Sequence, residues 1–127
     1  MLTPVLPNPE TDAKLAYSQG ILATGAQRVL HIAGQVGLND QGVMAPTFEG
    51  QVRQAWDNLI AVLTEADMTL AHLCKVNIYL TNIDDYATYG AMRGDILGPH
   101  KPASTLVVVS HLARPDWLFE VDAMAMG

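Results

Sequence analysis

The sequence contains one cysteine, Cys74, among 127 residues. No disulfide can form within such a chain. A lone thiol without a C-x-x-C partner suits a reducing compartment and offers no zinc or dithiol motif. Aromatic residues make up 6% and charged residues 16%. Basic residues are the scarcer sign: seven Lys and Arg stand against thirteen Asp and Glu, for a net charge of −6. An acidic chain without a basic stripe argues against a nucleic-acid partner and against anionic membrane surfaces. No apolar run approaches the roughly 18 residues of a membrane span. The first residues, MLTPVLPNPETDAK, lack the charged-then-apolar pattern of a signal peptide. A cytoplasmic location is the resulting expectation. Low-complexity stretches and internal repeats are also missing.

What is plentiful is apolar residues, at 50%. With so few charges, that proportion implies apolar surface hidden in an oligomer. The length predicts one domain, residues 1–127. Pro4, Pro7 and Pro9 make the first eleven residues an extended lead-in that denies a helix. Ala16 to Ala23 and Val29 to Ala33 read as strands, and Thr24-Gly25-Ala26-Gln27 between them predicts a hairpin. Gly34-Gln35-Val36-Gly37 interrupts the second strand, with glycines close enough to imply a tight bend or the close approach of another backbone.

Phe48, Val52, Ala55, Trp56, Leu59, Ile60, Leu63 and Ala66 recur at spacings of three and four, forming one apolar helical stripe. Thr47 is its expected N-cap. Leu73 to Leu80 alternates as a strand. Asp84 or Asp85 is the expected cap of a second helix, which has Tyr86, Tyr89, Met92 and Ile96 on its apolar side and ends at Gly98-Pro99. The β-branched run Ser104 to Val109 and the alternating stretch Leu118 to Met126 flank an Ala113-Arg114-Pro115-Asp116 turn. The order ββαβαββ predicts an α+β fold, one mixed sheet with two helices on one face.

Four histidines, at 31, 72, 100 and 111, have no metal-site spacing. Ser104 and His111 have opposite strand parity, and no G-x-S-x-G elbow exists for a serine hydrolase. Gly20, Gly25 and Gly34 do not form a phosphate-cradling loop. Trp56 and Trp117 are too isolated for a base-stacking platform. Glu120 stands out because it lies between Phe119 and Val121 on a core strand. A poorly solvated carboxylate there has a raised pKa suited to acid–base work, whereas on a wet face it is merely solvated. The residues alone leave both readings open.

Several segments in order carry a family resemblance: Tyr17-Ser18-Gln19-Gly20, Ile32-Ala33-Gly34-Gln35-Val36, Gln54 to Glu65, Lys75 to Tyr86, Pro102-Ala103-Ser104-Thr105 and Phe119-Glu120-Val121-Asp122-Ala123. Together they resemble the RidA/YjgF family of imine deaminases, once labelled L-PSP endoribonucleases. The resemblance implies a chorismate-mutase-like fold and a homotrimer whose sheets form a central barrel. Small-molecule ligands would bind in clefts between subunits, without a metal or organic cofactor. It further implies hydrolysis of imines, with Glu120 positioning the attacking water, Tyr17 orienting water or substrate, and Gly34 lining the cleft. Substrate contacts are expected from Gly34, Gly90 and the run Ser104-Thr105-Leu106.

Three of these positions depart from the family pattern. Ser104 stands where the deaminases carry a carboxylate-gripping arginine, Gly90 where an asparagine is usual, and Leu106 where a cysteine is frequent. Serine cannot reproduce the bidentate guanidinium fork. His100, Lys101 and Arg93 are the cations near enough in sequence to compensate. The expected substrate is therefore an imine, enamine or related nitrogenous compound other than a simple 2-imino acid. A non-catalytic small-ligand binder or chaperone-like protein on the same fold is the alternative.

Overall fold

The structure is a computed structural model describing residues 1–127. Nine main elements follow in order: β1 (Leu2–Val5), α1 (Pro9–Asp12), β2 (Gly20–Ala23), β3 (Val29–Gln35), α2 (Phe48–Glu65), β4 (Leu73–Leu80), α3 (Tyr86–Leu97), β5 (Ala103–Val108) and β6 (Phe119–Met126). β3, β6, β4 and β5 form a mixed sheet in that spatial order. β4 runs parallel to β5 and antiparallel to β6, so β5 and β6 flank β4 rather than pairing with each other.

The period-2 pattern of β6 is realised along its whole length. Phe119, Val121, Ala123 and Ala125 are buried, while Glu120, Asp122, Met124 and Met126 are half-buried on the other face. β4 alternates likewise after a register shift between Leu73 and Lys75, which makes both Leu73 and Cys74 buried. The helices cover the Phe119 face. Val52, Ala55, Trp56, Leu59 and Leu63 of α2 join Val76, Ile78, Leu80 and Val121 in one apolar cluster. Phe119 sits at its end, edge-on to Phe48 at 6.1 Å and tilted against Tyr89 at 5.2 Å. Thr47 caps α2 by accepting a hydrogen bond from the Gly50 amide at 3.1 Å.

Four local expectations need correction. The predicted hairpin does not form: β2 pairs with β1, matching Leu2 to Ala23 and Val5 to Gly20, and β3 pairs with β6. Gly25, at φ +69°, does turn the chain, but the partner of β3 is set by burial. Against β6, Leu30 and Ile32 line up with Ala125 and Ala123 on the helix-covered face. The lead-in is also not wholly extended. Pro9 opens the single turn of α1, where its missing N–H is not required. Asp85 takes the N-cap position of α3, but its side chain makes no capping hydrogen bond. Asn82 accepts the Asp84 amide at 3.0 Å, capping a short 3₁₀ turn that leads into α3. Tyr86 is 54% exposed, leaving Tyr89, Met92 and Leu97 as the buried side of α3.

The small β1–β2 sheet approaches the main sheet through a single parallel bridge, Ser18 to Ala103. That contact brings the segment holding Tyr17 beside the start of β5. No helix is long and apolar enough to cross a membrane.

Candidate active site

Glu120 opens β6 on the face that the helices leave uncovered. The β3–β6 register slips between Ile32 and Gln35, so β3 carries one extra residue opposite Asp122. Bulges of this kind bend a strand and re-aim its neighbours. Here the bulge brings Gly34 under the Glu120 side chain. An alanine Cβ at position 34 would stand 2.8 Å from Glu120 Cδ and would collide with the carboxylate oxygen Oε2. A side chain at position 34 would make the flexible Glu120 carboxylate move, so what approaches Gly34 is a side chain rather than the backbone that the sequence implied. Gly34→Ala is expected to displace the carboxylate and lower turnover about tenfold or more, because reacting groups tolerate little misplacement. The melting temperature should barely move, and unchanged turnover in the folded variant would count against this placement.

Burial raises the Glu120 pKa above the ordinary 4.5, and the neighbouring Asp122 charge raises it further. Asp122 is itself tied down: it accepts hydrogen bonds from Asn77 Nδ2 at 2.7 Å and from the Tyr79 hydroxyl at 2.6 Å. Tyr79 is pushed up to about 12, chiefly by that bond, and so remains a protonated donor at neutral pH. Sequence reading passed over Asn77 and Tyr79. The available signal was the parity of β4, where Lys75, Asn77 and Tyr79 alternate with the buried Val76 and Ile78.

The remaining expected site residues lie elsewhere in the chain. Glu120 is level with Tyr79 on β4, and Tyr79 is level with Val107 on β5. Ser104 is therefore two strands across and three residues along, which places the two backbones about 14 Å apart at ordinary strand spacings. Ser104 pairs with the buried Val76 and takes the helix side, as does Leu106, which packs against the core. Thr105 pairs with Asn77 on the Glu120 side and accepts a hydrogen bond from Lys75 Nζ at 2.7 Å.

Tyr17 belongs with the Ser104 group. Its neighbour Ser18 donates its amide to the Pro102 carbonyl at 3.2 Å and its hydroxyl to the Lys101 carbonyl at 2.6 Å. Gly90 joins the same region across a groove of about 170 Å³ that it shares with Arg93, His100 and Lys101. The expected site residues thus fall into two separate groups within one chain, Gly34 with Glu120, and Tyr17, Gly90 and Ser104 about the segment that leads into β5. The side chains of Lys101, His100 and Arg93 are partly committed. Lys101 Nζ bonds the Ala13 carbonyl at 3.1 Å, His100 Nε2 bonds the Leu73 carbonyl at 2.7 Å, and Arg93 lies over the Tyr89 ring at 5.8 Å. No group of three His, Cys, Asp or Glu side chains gathers to hold a metal.

The sequence profile of the family described as Endoribonuclease L-PSP matches residues 8–127. The chain belongs to this family, the RidA/YjgF proteins. A RutC family protein of Pyrococcus horikoshii is 33% identical over 111 residues, covering 86% of this chain and 85% of its own length. The mitochondrial protein mmf1 of Schizosaccharomyces pombe is 36% identical over 102 residues, covering 80% of this chain. The chain spans only 61% of that relative's length. Among solved structures, the Rid family protein YyfB of Yersinia pestis superposes with a TM-score of 0.85 at 28% identity, covering 98% of both chains. The mixed sheet with its helical layer is the YjgF, chorismate-mutase-like fold.

Proposed function

We propose that this RidA-family protein hydrolyses a carbon–nitrogen double bond in a small metabolite, using a water activated by Glu120. The observation that carries this reading is the partly desolvated Glu120 carboxylate laid over Gly34 with its pKa raised. A carboxylate shifted toward the working pH is a better proton carrier than an ordinary one. Glu120 takes a proton from water as the oxygen attacks the imine carbon, and the imine nitrogen is protonated. The resulting carbinolamine collapses, the C–N bond breaks, and ammonia leaves a carbonyl product. The reaction consumes one water, needs no cofactor and returns the proton to its starting balance.

Glu120 lies on the uncovered face of the main sheet, whereas Ser104 takes the helix side, Gly90 sits on α3 and Tyr17 precedes β2, so a complete cleft would draw Tyr17, Gly90 and Ser104 from a neighbouring subunit. A homotrimer with its uncovered sheet faces turned inward supplies that arrangement and explains the apolar composition. The cytoplasm is the proposed location. RNA is a poor substrate for this surface: on the uncovered face Glu120 and Asp122 are accompanied by a single lysine, Lys75, and by His31.

A serine at 104 shifts preference away from simple 2-imino acids, because a charge-assisted contact contributes about one to two decades of binding. The test is a coupled assay with 2-iminobutyrate generated in situ, comparing wild type with Ser104→Arg. The arginine variant should be about ten- to a hundredfold better in kcat/KM. Equal activity would show that Ser104 does not set the substrate. Saturable binding of imines and enamines without turnover in either protein would replace the hydrolase reading with that of a ligand binder.

A further inference from the structure

The helical layer carries a groove of its own on the seam between α2 and α3. Its volume is about 220 Å³, and it is lined by Arg53, Trp56, Asp57 and Ile60 of α2 and by Asp95 and Ile96 of α3. Positions 53, 56, 57 and 60 fall at spacings of three and four, so α2 presents them to α3 as one strip. None of the residues grouped above with Glu120 or with Ser104 lines this groove.

Trp56, 1% exposed, forms the floor, with the half-buried Ile60 and Ile96 beside it. Its Nε1 has no full hydrogen-bond partner and turns toward the Tyr89 hydroxyl, so the ring rather than the N–H faces the groove. The rim holds one cation and two acids, all exposed. Arg53 and Asp57 stand one turn apart, about 6 Å along the helix axis. Asp95 faces them from α3, across a helix pair whose axes pack roughly 8–10 Å apart. Arginine before aspartate is the less favourable order for such a pair along a helix, and an exposed pair contributes little. The three charges are therefore available to a ligand.

We infer that this groove binds a zwitterionic α-amino acid with an aliphatic side chain. The ammonium lies between Asp57 and Asp95, the carboxylate meets the Arg53 guanidinium, and the side chain rests on Trp56, Ile60 and Ile96. A simple carboxylate would face two acids with one cation, and a simple amine would leave Arg53 unused. The volume is below that of pockets for drug-sized ligands, which limits the occupant to one small molecule. The inference does not rest on the proposed hydrolysis, since the groove belongs to one chain and uses none of the residues given a part in that reaction.

The test titrates leucine, 4-methylpentanoate and 3-methylbutylammonium, which share a branched chain and differ in their charged ends. Calorimetry on the intact protein gives the affinities. Trp56 emission in a Trp117→Phe variant reports the place, since the chain has two tryptophans. Leucine should bind saturably, about threefold or more tightly than either analogue, the increment expected of exposed charges. Its binding should shift the Trp56 emission. Arg53→Met should bring leucine down to the affinity of the amine, and Ile60→Trp, followed by calorimetry, should abolish binding by filling the groove. Glu120→Gln should leave binding unchanged. Equal affinity of wild type for leucine and either analogue overturns the inference. So does the absence of saturable leucine binding, an unmoved Trp56 emission, or binding that survives in a folded Ile60→Trp variant. Loss of binding in Glu120→Gln overturns it too, by placing leucine beside Glu120 instead.

Discussion

Glu120→Gln should lower imine turnover by about 10²–10⁴-fold, the range that a positioned acid–base group contributes. Glutamine keeps the shape that lies over Gly34 but cannot carry the proton. The fold should survive, because Glu120 projects from the face opposite the apolar cluster. Size-exclusion and melting profiles should match wild type while single-turnover rates collapse. Retained turnover in a correctly assembled variant would remove Glu120 from the mechanism. The pH profile provides an independent check. Catalysis needs the carboxylate ionised, so the acidic limb should lie above the ordinary 4.5. Asp122→Asn should move that limb down, since the Asp122 charge is the second cause of the shift. Stability runs the other way. A carboxyl whose pKa is raised by folding binds its proton more tightly in the native state. Its contribution is therefore present below the unfolded value and is lost as pH rises through the folded value. Over that window activity should increase while the Glu120 contribution to stability declines. Glu120→Gln should abolish both trends for this group.

The parts of this site that were legible in the sequence depend on short-range periodicity. The alternation of β6 assigned Glu120 to the face opposite Phe119 and Val121, and the paired glycines predicted the close approach of a backbone, which Gly37 meets at Gln51 while Gly34 meets the Glu120 side chain instead. The parts that were not legible depend on pairing. Thr24 to Gln27 shows that the chain turns, but the same turn serves whether β2 meets β3 or β1. The choice is made by Ala123 and Ala125, nearly a hundred residues further on, which give Leu30 and Ile32 small neighbours on the buried face. The separation of Ser104 from Glu120 is of the same kind. Both sit on β strands beside β4, yet their registers against Val76 and Tyr79 send them to opposite faces. No local pattern in β5 reports that register. Resemblance to the family named residues that the single chain keeps apart, and the proposed cleft would need a second subunit to bring them together.

Gln51→Leu should be the most destabilising single substitution of a polar residue in this chain. Gln51 occupies the buried stripe of α2, three residues after Phe48 and one before Val52, and is only 2% exposed. A polar group in that position must be fully bonded to be tolerated. Its Nε2 donates to the Ala45 carbonyl at 3.1 Å and to the Asp116 carbonyl at 2.9 Å, and its Oε1 accepts the Leu118 amide at 2.8 Å. Gly37 closes over the same residue, since a Cβ there would stand 2.6 Å from Gln51 Cα. One side chain thus ties the loop after Gly34 to the loop before Glu120. Leucine matches its size but leaves three backbone groups without partners, at a cost of about 3 kcal/mol and about 10 °C in Tm. Gln51→Glu should not rescue it, because a carboxylate can still accept from Leu118 but cannot donate to either carbonyl. In both variants kcat should fall more than KM rises, because the damage lies in the aim of Glu120 rather than in the ligand contacts. Calorimetric melting and steady-state kinetics give the two readouts. A Tm change below about 2 °C would mean that the two loops hold their places without the clamp.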